Sequence, residues 1–92
     1  MSREVKLYNE VSSYCSELIT KKYSTSFSLG IKTLHKNIHK HIYSIYGFVR
    51  FADEIVDTFH DYDKKELLNR FIDELNFSLK NKISTNPILN SF

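Results

Sequence analysis

Seven apolar residues, Ile38, Ile42, Ile45, Val49, Ala52, Val56 and Phe59, step along the chain by four, three, four, three, four and three. A strand would alternate every second residue, so this spacing belongs to an α-helix with one apolar seam. The helix is expected over about Ile38 to Phe59, and a chain built around it is expected to be helical throughout. Composition agrees: 2 Gly and 1 Pro in 92 residues are too few for the turns of a sandwich or barrel.

The other segments repeat the helical signal. Leu7, Val11, Tyr14, Leu18 and Ile19 recur at helical spacing between about Val5 and Tyr23. Ser24-Thr25-Ser26 interrupts that pattern. Its hydroxyls can cap a second short helix through Phe27 and Leu29, which Gly30 would weaken or end. Residues 31–37 read as a helix tail plus loop. Asp63 with Glu66 three residues on matches a capping box, and Leu68, Phe71, Ile72, Leu75 and Leu79 share one face of the helix that follows. Asn86-Pro87 suits the first turn of a further helix through Ile88 and Leu89.

With 13 basic and 11 acidic side chains the net charge is +2, which gives no case for nucleic acid as a partner. A single cysteine, Cys15, excludes an internal disulfide or multi-cysteine zinc site and fits a reducing compartment. No uninterrupted apolar run is long enough to span a bilayer, and no apolar run follows the charges at the start. The expected location is cytoplasmic, with contact at a membrane surface left open by Lys21, Lys22, Lys32, Lys36 and Lys40. His35 and His39 have the i,i+4 spacing of metal ligands but no third ligand nearby.

A second seam runs beside the first at Tyr43, Tyr46, Arg50, Asp53 and Asp57, roughly 100° around the same helix. Asp53 and Asp57 are one turn apart, at roughly 5–6 Å between Cβ atoms. Two such carboxylates repel, and Arg50 offsets part of that repulsion. A hard divalent cation would offset it more fully, because Mg²⁺ takes one or two carboxylates and completes its shell with water and phosphate. Arg50 can also grip phosphate as a planar fork. The plain alternative is a solvated face on which Arg50 pairs with Asp53. Glu54 reads as a supporting or exposed group, Tyr14 and Tyr43 as core or cavity lining, and Phe48, Phe51, Phe71 and Phe77 as packing.

The segment Ile45-Tyr46-Gly47-Phe48-Val49-Arg50-Phe51-Ala52-Asp53-Glu54-Ile55-Val56-Asp57 resembles the first aspartate-rich motif of the squalene and phytoene synthase family. That motif has a tyrosine, an arginine four residues later, and D-x-x-x-D three residues after that. Tyr23-Ser24-Thr25-Ser26-Phe27 is similar to the family's S-x-S-F segment, although relatives often carry a histidine or other polar residue at the position of Tyr23. The resemblance implies an all-α isoprenoid-synthase fold in which residues 1–92 form the N-terminal portion of one domain. It implies head-to-head joining of two polyprenyl diphosphates, geranylgeranyl diphosphate to phytoene being the first choice, through a cyclopropylcarbinyl diphosphate. By the same resemblance Asp53 and Asp57 ligate Mg²⁺, with Mn²⁺ as the alternative ion, and Arg50 contacts diphosphate. Ser24, Ser26 and Phe27 lie at the lid of the substrate site, and Tyr46 lines the pocket near the reacting carbons. The second aspartate-rich motif is absent, so the chain alone is expected to be inactive. The rival expectation is a non-enzymatic helical module that binds a partner through its apolar seams.

Overall fold

The computed structural model describes residues 2–92, which form five helices: α1 Arg3–Tyr23, α2 Thr25–Ile31, α3 Lys36–Asp57, α4 Lys64–Asn81 and α5 Pro87–Ser91. No strand occurs among the described residues. The boundaries follow side-chain caps. Ser2 Oγ accepts from the Val5 N–H, and Ser24 Oγ accepts from the Phe27 N–H. The Asp63 carboxylate accepts from the Glu66 N–H, and the Asn86 amide oxygen accepts from Ile88 and Leu89. Each cap satisfies backbone donors that the first turn leaves without a helical partner. Lys82, with φ 59°, closes α4 in the left-handed conformation.

Of the main apolar seam of α3, Ala52 and Phe59 pack against the core, but much of the rest faces away from it. Ile45, Val49 and Val56 are about half exposed, as are Leu7, Val11, Tyr14 and Leu18 on α1. The two helices instead pack through small residues on their opposite faces. Ser12, Ser16 and Thr20 of α1 are fully buried, and Gly47 of α3 approaches so closely that a Cβ there would lie 2.7 Å from Ser16 Oγ. Hydroxyls tolerate this burial because each finds a partner. Ser12 donates to the Tyr8 carbonyl at 2.8 Å, Thr20 donates to the Ser16 carbonyl at 2.9 Å, and Ser16 shares a hydrogen bond with Ser91 at 2.6 Å. Tyr14 is thus a surface residue rather than core, at the rim of a shallow cleft with Tyr43, which is buried. Phe77 is also exposed, so packing does not account for it.

The apolar core forms where α3, α4 and α5 meet. Ile55, Phe71 and Leu89 are buried there, with Phe48, Phe51, Ala52, Phe59, Leu67, Leu68 and Leu75 packed around them. Phe48 stacks on Phe92 at 4.5 Å between ring centres, and Phe51 stacks on Phe71 at 5.3 Å. The short α5 also docks on α1. The Asn90 amide donates to Asn9 and to Ser12, while its oxygen accepts from the Ser84 N–H. The result is a slab of 39 × 36 × 17 Å. No helix among the described residues is long and apolar enough to cross a membrane.

Candidate functional site

Two segments far apart in sequence meet at the side of α3. The turn between α1 and α2, capped by Ser24, carries Tyr23 and Phe27 against α3. Phe27 stacks on Tyr46, with ring centres 5.1 Å apart and an interplanar angle of 25°. One helical turn further along α3, the Arg50 guanidinium lies 5.0 Å from the centre of the Tyr23 ring. The two contacts form rungs, four residues apart on each segment. The first spends its area on aromatic stacking, and the second adds attraction between a cation and a ring face.

Arg50 does not pair with Asp53. Its Nη2 donates to Glu54 Oε2 at 3.2 Å, the i,i+4 neighbour on the same helix. Glu54 is held well charged: the Thr58 side chain is the largest cause, followed among the favourable ones by the Tyr23 hydroxyl and Arg50, and together they lower its pKa against burial. Burial and the hydrogen bond to Glu54 raise the Tyr23 pKa, so the phenol stays protonated. Arg50 Nε is buried with no hydrogen-bond partner. Ile19, Tyr23, Arg50, Phe51, Glu54 and Phe59 line a cleft of about 320 Å³ at this place.

Because Glu54 takes the guanidinium, Asp53 and Asp57 are left solvent-exposed, and neither side chain makes a hydrogen bond or ion pair among the described residues. Oxygen-only donors one turn apart, exposed and unpartnered, fit a hard divalent cation that keeps most of its water. They do not make a closed cage: no group of three or more His, Cys, Asp or Glu side chains suited to a metal occurs among the described residues. His35 and His39 are engaged locally instead. His35 Nδ1 accepts from the Asn37 N–H, and His39 Nε2 contacts the Leu34 carbonyl.

Ser24 is used as a helix cap, so its hydroxyl is committed to the backbone. Ser26 is exposed and, with Phe27, Gly30, Ile31, Leu34 and Ile42, borders an apolar groove of about 550 Å³. The groove abuts the Phe27–Tyr46 stack. Of the residues singled out from sequence, Phe27, Tyr46 and Arg50 fall in one strip beside α3, with Ser24 in the turn that carries Phe27, Ser26 beside Phe27 at the groove, and Asp53 and Asp57 further along α3. Tyr23 and Glu54 belong to this strip but were not singled out by motif. The i,i+4 spacing of Arg50 and Glu54 is the signal that could have found the second; the first was marked only as a departure within the S-x-S-F segment, with no contact to Arg50 expected from it.

No curated protein and no solved structure matched the chain. A profile of the squalene/phytoene synthase family, however, matches residues 20–92. That span takes in the capped turn, both aromatic rungs and the carboxylate pair, and with it the chain belongs to the squalene/phytoene synthase family.

Proposed function

We propose that this chain supplies the first aspartate-rich half of a site that binds and ionises polyprenyl diphosphates for head-to-head condensation, with geranylgeranyl diphosphate as the substrate. The observation that carries this reading is the free carboxylate pair, Asp53 and Asp57, beside an arginine whose charge is already balanced by Glu54. An arginine spent on Asp53 would weaken the pair as a cation site; here it is not.

In this reading Asp53 and Asp57 hold Mg²⁺, which when bound neutralises charge on the diphosphate leaving group. Arg50 orients the same group through its planar donors. The Tyr46 and Phe27 rings present π-faces to the carbocation left behind, and the apolar groove beside them keeps water from quenching it. Ser26 stands at the mouth of that groove. The lysines near α2 and the start of α3 suit an anionic lipid surface from which such substrates are drawn.

The test uses the 92-residue chain with inorganic diphosphate and Mg²⁺, followed by calorimetry. Binding is expected to need the metal, to vanish with a chelator, and to weaken about tenfold or more in Asp53→Asn and Asp57→Asn. Equal binding by the wild type and both variants would overturn the assignment. The exposed seams of α1 and α3 favour one rival, a helical module that binds a protein partner without chemistry; it requires no diphosphate binding at all.

A further inference from the structure

We infer that Tyr23 and Glu54 are positioning residues that clamp Arg50, fixing its guanidinium in one orientation beside the cleft before an anionic ligand enters it. The inference rests on the reading of Arg50 as a diphosphate contact, and it adds two residues to that reading. Three observations converge on it. The guanidinium is covered on one face by the Tyr23 ring at 5.0 Å. Its terminal nitrogen is tied to Glu54 at 3.2 Å. Its Nε is buried and has no hydrogen-bond partner.

A buried donor without a partner carries a desolvation cost and calls for an explanation. Here the cleft lined by Ile19, Tyr23, Phe51 and Phe59 offers no acceptor of its own beyond groups already engaged. An arginine side chain has many rotamers, and ordering it before the ligand arrives removes an entropy cost from binding. Tyr23 and Glu54 thus hold the guanidinium from two directions, one by its face and one by its terminal nitrogen. Tyr23 therefore serves the arginine rather than the ligand directly.

The experiment follows the Nε–H signal of Arg50 by ¹H–¹⁵N NMR in the whole chain, with and without Mg²⁺ and inorganic diphosphate. The wild-type signal is expected to be sharp and slow to exchange, and to shift on addition of the two ions together. Tyr23→Leu and Glu54→Gln are expected to speed its exchange about fivefold or more and to weaken diphosphate binding about five- to tenfold, with the thermal melting profile retained. Tyr23→Phe keeps the ring but loses the hydroxyl, and should fall between wild type and Tyr23→Leu. Unchanged exchange in both Tyr23→Leu and Glu54→Gln would overturn the clamp. A clamp-dependent signal that fails to respond to Mg²⁺ and diphosphate in the wild type would overturn the positioning role together with the diphosphate reading, whereas loss of binding in Asp53→Asn alone would leave the clamp standing.

Discussion

At the scale of single residues, Gly47 carries the sharpest structural constraint. It is helical, so alanine there would ordinarily stabilise by about 1 kcal/mol through propensity. A Cβ at Gly47 would however meet Ser16 at 2.7 Å from Oγ, 3.0 Å from Cβ and 3.3 Å from Cα, and the backbone atom cannot turn away. Overpacking of this kind costs about 1–3 kcal/mol, so Gly47→Ala is expected to destabilise by about 1 kcal/mol net in urea unfolding. Moving the glycine across the contact, as Ser16→Gly with Gly47→Ala, should recover part of that loss through the removed side chain, giving a favourable coupling in a double-mutant cycle. Glu54 gives a second test. Its folded pKa lies below the ordinary 4.5, so its contribution to stability is present above that value and is lost as pH falls through the folded value. Glu54→Gln should accordingly show a shallower loss of stability on acidification than the wild type. The same scale shows what sequence reading reaches. Asp53, Asp57, Arg50 and Tyr46 stood out because their spacing is a helical repeat of chemically unusual neighbours. Tyr23 stood out only as a departure from a motif, because its contact with Arg50 depends on a turn angle between α1 and α2 that no spacing encodes.

At the scale of elements, helix positions and caps were legible because they depend on local chemistry, and the structure returns Ser24, Asp63 and Asn86 as caps. The packing faces were not. Helix α3 is apolar on two opposite sides: Tyr43, Gly47, Phe51 and Ile55 turn inward, while Ile38, Ile45, Val49 and Val56 turn outward. Periodicity registers both apolar sides and cannot say which of them a given neighbour takes. On α1 the contrast is stronger, since the strongest apolar stripe is exposed and a stripe of Ser and Thr is buried. Hydropathy ranks those hydroxyls as surface, yet their bonds to carbonyls one turn back let them pass as small packing units. The expected consequence is an inversion of the usual ranking. Val49→Ala should cost less than about 1 kcal/mol, whereas Ile55→Ala, at 5% exposure, should cost about 2–4 kcal/mol. Urea midpoints of the two variants check it, and equal losses would mean that the outer seam is covered in solution.

At the scale of the whole molecule, the slab exposes 6764 Å², against about 5,600 Å² for a compact monomer of its mass. Less burial means a thinner margin of stability, so the few residues that join the layers carry a large share of it. Helix α5 is the join. Ile88 and Leu89 are 4% and 2% exposed, and Asn90 bonds at once to Asn9, Ser12 and Ser84. The Ser84 loop is in turn held by the Tyr8 hydroxyl, which donates to its carbonyl at 2.6 Å, and by Glu74, which accepts from its hydroxyl at 2.7 Å. Asn90→Ala removes two donors and one acceptor from a buried junction and strands the N–H of Ser84, a residue that is 1% exposed. Leaving such a group unpaired costs about 1–3 kcal/mol, so the variant is expected to lose that much in urea unfolding. Asn81→Ala, which removes an exposed bond to the Phe77 carbonyl, should lose less than about 0.5 kcal/mol. Because Ser12 lies on the α1 stripe that packs beside Gly47, loosening α5 should also free the α1–α3 contact and, through the turn that follows α1, the Tyr23 ring. Asn90→Ala is therefore expected to speed exchange at the Arg50 Nε–H although it lies outside the clamp, and an unchanged Arg50 signal in a destabilised Asn90→Ala chain would show that the clamp is held by α2 and α3 alone.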